Sequence, residues 1–188
     1  MMFPKSDCIF VFAGRESRKF YGLDLFREGI SDILMLSVGR YEWRRFLKMQ
    51  IIDEKKFKEM VQSTPPPKRH FFVKVQKDIA TSYPIVKGKF GTLSEARALS
   101  QIIIEQEIKK IVVVSSEYHL KRAVESIRKF CSHQDLKLYP AAVPHQEYDF
   151  SKKTAISLIR RSRILFIEVV KYYFYKWILF PFCKPVKT

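Results

Sequence analysis

Cysteine is scarce in this sequence: Cys8, Cys131 and Cys183 form an odd, widely spaced set without a C-x-x-C pair. That argues against a disulfide framework and a thiolate zinc site, and it favours a reducing compartment. Acidic residues are few as well, 19 against 35 Lys and Arg. The chain has no charge-free apolar run of the roughly 20 residues that a membrane span needs. Its first apolar stretch is short, is interrupted by Gly14, Arg15 and Glu16, and lacks the small-residue cleavage pattern of a signal peptide. A cytoplasmic protein is the expectation. Glycine signatures are missing too. Without G-x-G-x-x-G, dinucleotide binding of the usual kind is unsupported, and without G-x-S-x-G a serine hydrolase is a poor fit. No helix-turn-helix, RRM or zinc-finger signature supports nucleic acid as a partner. His70, His133 and His145 have no acidic or cysteine partners at metal-ligand spacing, so no structural metal is expected.

What remains is a globular composition. In 188 residues, 47% are hydrophobic and 29% charged, which suits one folded domain with a real core. The net charge is +16, and residues 152–188 supply half of that excess, with nine Lys and Arg against the single acid Glu168. Such charge attracts polyanions without choosing among nucleic acid, anionic lipid and phosphorylated ligands.

Along the chain, strand and helix patterns alternate. Residues 8–13 form a compact apolar run, and residues 17–28 carry Phe20, Leu23 and Leu25 or Phe26 at helical spacing. A buried strand over 33–38 ends at Gly39, followed by helical stretches at 41–49 and 53–62. Pro65, Pro66 and Pro67 make a stiff break. Residues 71–75 read as a third strand and 83–90 as loop. A helix over 92–107 opens with Thr92 and Glu95 in capping-box spacing and lines one face with Leu99, Ile102 and Ile103. Residues 111–115 are a fourth strand, 118–130 its helix, and 136–143 a last strand interrupted by proline. This order predicts a three-layer α/β domain over residues 1–150, its sheet mostly parallel and joined by crossover helices, with a basic, aromatic helix over 151–188.

The most informative segment is the β-branched run 111–114, which breaks at Ser115 and Ser116 and restarts as a helix carrying His119 and Arg122. In open α/β sheets, ligands bind at the carboxyl ends of such strands. There, His119 is a candidate acid/base and Arg122 a clamp for carboxylate or phosphate. Ser115 and Ser116 offer hydroxyls and backbone N–H groups to an anion, or act as plain N-caps. The first strand-to-helix turn has Gly14 for close backbone approach, with Arg15 and Arg18 beside it. The second has Ser37, Gly39 and Arg40. Thr92 and Glu95 are most simply explained by capping.

The tail allows two readings. Arg160, Arg161 and Arg163 precede an apolar, aromatic run over 164–182 that is interrupted by Glu168, Lys171 and Lys176. It is either a last helix closing the sheet, with its lysines wet, or a helix lying on an anionic membrane surface. Glu168 and Lys171, spaced to pair on one face, favour the first.

Four segments taken in order resemble the bacterial YdcF-like family, with its SanA-like and ElyC-like members. They are Phe10-Val11-Phe12-Ala13-Gly14 with Arg18; Ile33-Leu34-Met35-Leu36-Ser37-Val38-Gly39; Gly91-Thr92-Leu93-Ser94-Glu95-Ala96; and Val113-Val114-Ser115-Ser116-Glu117-Tyr118-His119-Leu120-Lys121-Arg122-Ala123. The last is similar to that family's V-T-S-x-x-H-x-x-R-A motif, with Ser115 in place of threonine. Glu95 stands where many members have asparagine, and Lys87 and Lys89 where an acid often precedes the threonine. The resemblance covers roughly residues 7–145. It implies a Rossmann-like α/β fold with a pocket at the strand ends, a link to bacterial envelope biogenesis and a nucleotide-like ligand such as S-adenosylmethionine. Without the N-terminal anchor of SanA-like members, the chain is similar to the soluble type.

The expectation is therefore a protein that binds an anionic small molecule or phosphorylated lipid-linked precursor. Gly14, Arg15, Arg18, Ser37, Gly39, Arg40, Thr92, Glu95, Ser115, Ser116 and Arg122 would surround it, with His119 for any chemistry. Two alternatives stand beside it: a non-catalytic, peripheral adaptor on an anionic membrane surface, and an S-adenosylmethionine-binding protein.

Overall fold

Strand β1 (Cys8–Val11) is wholly buried, and its alternating side chains divide the core in two. Cys8 and Phe10 point to one side of the sheet and Ile9 and Val11 to the other, the period-two consequence of the pleat. A strand covered on both faces reads as a continuous apolar run, as in a parallel sheet under helices on both sides. The computed structural model describes residues 3–77, 79–85, 91–131, 135–144 and 155–186, with the backbone alone over 155–161.

The elements follow as α1 (Glu16–Arg27), β2 (Ile33–Val38), α2 (Trp43–Leu47), α3 (Glu54–Ser63), β3 (Phe71–Gln76), β4 (Ile79–Pro84), α4 (Gly91–Glu105), β5 (Lys110–Ser115), α5 (Glu117–Phe130), β6 (Lys137–Ala142) and α6 (Ala155–Phe174). The six strands lie in the order β4-β3-β2-β1-β5-β6. β1 pairs in parallel with β2 and β5, and β5 with β6. Helices α4 and α5 cover one face through Leu99, Ile103, Ala123 and Ile127. On the other face, Leu25, Phe46, Phe57 and Val61 from α1, α2 and α3 meet Ile9, Leu34 and Val112. The domain is a three-layer, Rossmann-like α/β fold with a mostly parallel sheet.

Three expectations change. The third strand is antiparallel to its neighbour, Val38 facing Phe71 and Ile33 facing Gln76. Two helices and a proline-rich 3₁₀ turn (Pro66–Lys68) separate β2 from β3, and the chain re-enters the sheet at the end where it left. Tyr83 and Pro84, expected in a loop, close strand β4, which forms a tight hairpin with β3 (Gln76 facing Ile79). Lys77, in the connection, has φ 55°, the left-handed conformation such short turns need. Helix α1 buries Arg18, Lys19, Gly22 and Leu25, whereas Phe20 is half exposed. A Cβ on Gly22 would lie 2.4 Å from Val11 Cγ2, so glycine there brings α1 down onto β1.

Helix α6 continues through a π-helical segment at Tyr175–Leu179 and a 3₁₀ turn at Phe180–Phe182. No helix among the described residues is long and apolar enough to cross a membrane. The expected Glu168–Lys171 pair forms at 3.1 Å, and Lys171 and Lys176 are exposed. The packing of the tail is one-sided, however. Tyr175 is buried against the α4/α5 side, while Phe166, Val170, Tyr173 and Trp177 stay exposed.

Candidate functional site

The chain leaves β1 toward β2 on one side and β5 on the other, so the carboxyl ends of β1 and β5 bound a topological switch point. After Phe12, Gly14 turns the backbone at φ 146°, a conformation L side chains rarely adopt. A Cβ at Gly14 would sit 2.6 Å from Arg18 Nη1. The missing side chain is thus the space into which the Arg18 guanidinium folds.

Arg18 lies one turn into α1, and helical side chains lean back toward the N-terminus. Its Nη1 donates to Ala13 O at 2.6 Å, and its Nε and Nη2 donate to Ser116 Oγ at 3.0 and 2.8 Å. The residue is buried, yet it forms no ion pair among the described residues. Lys19 beside it, also buried, is neutralised by Glu42 at 2.7 Å.

Two histidines flank this centre. His119 Nδ1 is 2.7 Å from Ser115 Oγ, and its Nε2 is 3.2 Å from Thr92 Oγ1. Its ring packs edge-on to Phe12 at 5.6 Å. Burial, then the charges of Arg122, Arg18 and Lys171, hold its pKa well below the ordinary 6.5. The imidazole is therefore neutral at pH 7, with each nitrogen facing a hydroxyl. On the other side, His70 Nε2 is 2.8 Å from Ser37 Oγ and 3.5 Å from Glu95 Oε1, and that carboxylate accepts the Ala13 N–H at 2.8 Å. Burial raises the Glu95 pKa, but the hydrogen bonds from His70, Ser37 and Ala13 and the His70 charge outweigh it, holding the carboxyl below its ordinary 4.5.

Arg122 closes the arrangement. Nη1 donates to Thr92 Oγ1 at 3.0 Å, Nη2 to Glu168 Oε2 at 2.8 Å, and the guanidinium lies 4.8 Å from the Tyr175 ring centre. Its Nε is buried with no hydrogen-bond partner among the described residues. A donor in that position is costly to leave unmatched, and a ligand oxygen would satisfy it.

Of the candidate residues, Gly14, Arg18, Ser37, Thr92, Glu95, Ser115, Ser116, His119 and Arg122 are thus joined in one largely buried polar network. Arg15 is exposed at the α1 N-cap, and Gly39 is buried beside Glu42. Arg40 lies over the Tyr41 ring, its Cζ 5.0 Å from the centroid. The capping-box reading of Thr92 and Glu95 is overturned, because the Thr92 hydroxyl engages His119 and Arg122 while Glu95 holds the β1 turn and His70. Nor does Ser116 Oγ cap its own helix; it receives Arg18 instead. His70, Glu168 and Tyr175 join the site without having been anticipated. Lys87, Lys89, His133 and His145 lie outside the described residues.

Comparison with protein-family models, curated proteins and solved structures finds no match. The site offers two buried guanidinium groups, one of them seated on a glycine turn, and a neutral imidazole between two hydroxyls.

Proposed function

We propose that this chain binds a small anionic ligand bearing phosphate at the carboxyl ends of β1 and β5. The observation that carries the reading is Arg18, a buried cation whose acceptors are a serine hydroxyl and a backbone carbonyl, with no ion pair among the described residues. An unpaired buried charge is expensive, and an anion beside it relieves the cost. Arg122, with its unmet Nε, supplies a second donor. The planar arginine fork can donate to two phosphate oxygens at once, which a point charge does not match.

His119 is the acid/base candidate. Neutral at pH 7, it is suited to accept a proton from a ligand hydroxyl or an attacking water through the Thr92 or Ser115 side. A phosphorylated, lipid-linked envelope precursor fits the YdcF-like resemblance and a peripheral, cytoplasmic placement. S-adenosylmethionine fits less well, because its sulfonium would sit beside two arginines.

Isothermal titration calorimetry with inorganic phosphate, adenosine monophosphate, a short-chain polyprenyl phosphate and S-adenosylmethionine tests this. At least one phosphate-bearing probe should bind. Arg122→Ala should weaken it by about 1.5–3 kcal/mol, the worth of a hydrogen bond to a charged group. No heat with any phosphate probe, or equal affinity in a folded Arg18→Gln variant, would refute the assignment.

A further inference from the structure

Helix α6 and the turns after it carry their apolar residues outward. Phe166, Val170, Tyr173 and Trp177 follow one another at i, i+4, i+7 and i+11, and they are 70%, 51%, 47% and 69% exposed. Phe182, 84% exposed, extends the apolar surface past the helix end. Single exposed apolar residues need no explanation, but a contiguous stripe marks an interaction surface. The inward side is already committed: Glu168 binds Arg122, Tyr172 donates to Glu125 at 2.8 Å, and Tyr175 lies under Arg122.

Charge identifies the occupant. Arg163, Lys176 and Lys184 are exposed around the stripe, and the helix backbone runs on through Arg160 and Arg161. The only acid in the segment, Glu168, is turned inward between Arg122 and Lys171. The outer face is thus aromatic and basic with no compensating carboxylate of its own. A second copy meeting this face would bring like charges together, whereas anionic headgroups complement them. Among the described residues, the helix is not long and apolar enough to cross a bilayer. Lying in the interface plane is the arrangement left to it, with the aromatic stripe inserted and the long basic side chains reaching the headgroups.

We infer that the outer face of α6 docks the protein on an anionic lipid bilayer, independently of what the strand-end crevice holds. The full chain should sediment with mixed phosphatidylcholine–phosphatidylglycerol vesicles, less so as salt rises, and not with phosphatidylcholine alone. Phe166→Ser with Trp177→Ser should reduce partitioning by about tenfold or more, since apolar insertion is lost while the net charge is kept. In a Trp43→Phe background, Trp177 emission should shift to the blue on vesicle addition. Wild-type partitioning in the double variant would overturn the inference, as would failure of the wild type to bind. A concentration-dependent dimer abolished by the same double variant would reassign the face to a second copy.

Discussion

The strand-end crevice and the outer face of α6 break the ordinary burial pattern in opposite directions. In the crevice, Arg18, Glu95, Thr92, His119 and Arg122 are buried, and nearly every polar atom is matched by another from a distant part of the chain. On α6 and the turn after it, Phe166 and Trp177 stand largely in the open. Buried polar groups are kept only where they are satisfied or useful, and exposed apolar stripes only where something covers them. The two regions meet at Arg122, which binds Glu168 and lies against the Tyr175 ring, tying the C-terminal helix to the buried polar network.

Breaking that contact should have the largest effect. Glu168→Ala leaves Arg122 as a second buried cation without a carboxylate, and removing one partner of a buried pair costs about 3–5 kcal/mol. Urea unfolding should show the loss. A phosphate-bearing ligand should recover part of it, about 2.7 kcal/mol at a hundred times its Kd. A cost under about 1 kcal/mol would mean that α6 is only loosely tied to the crevice and that the two regions are separate devices.

Gly14→Ala comes next. It forces a β-carbon into the Arg18 guanidinium and a side chain into φ 146°, so a loss of about 1–3 kcal/mol is expected along with weaker anion binding. A variant with unchanged stability and affinity would show that Arg18 does not depend on that turn.

What could be read from the sequence follows the direction of the chain. A β-branched run such as 111–114 announces a buried strand, and the residues just after it, Ser115 to Arg122, must then lie at its carboxyl end. That logic placed Gly14, Arg18 and Ser37 as well. It failed at His70 because that residue precedes its strand. Only when β3 runs antiparallel does its start fall beside the end of β2, which is where His70 meets Ser37. Arg15 and Arg40 are as near the strand ends in sequence, but side-chain direction decides: Arg18 folds back over the turn while Arg40 lies on Tyr41. The i,i+3 spacing of Glu168 and Lys171 predicts their pair, which forms. The second bond of Glu168, to Arg122 46 positions away, depends on how α6 docks, which no local pattern encodes.

His119 should make the crevice sensitive to pH in a direction its environment fixes. Its folded pKa lies well below 6.5, so the unfolded chain binds the proton more readily. Its contribution to stability is complete above about pH 6.5 and is lost as the pH falls from there toward the folded pKa. The slope is at most about 1.4 kcal/mol per pH unit for one proton. His119→Gln should flatten the stability curve over that range in urea unfolding series. An equal slope in the variant would assign the titration to another group.

The smallest effect is expected where the exposed side chains are largest. Phe166 and Trp177 have little contact to lose, so replacing each by serine should change unfolding stability by no more than about 0.5 kcal/mol. The same substitutions in a core phenylalanine such as Phe10 would cost several times as much. Near-neutral stability combined with lost vesicle binding would separate what α6 does for the fold, through Glu168 and Tyr175, from what it offers outward. If serine at 166 and 177 destabilised the chain as a core substitution does, the stripe would be packed in solution. The contrast between the two regions would then collapse into a single core.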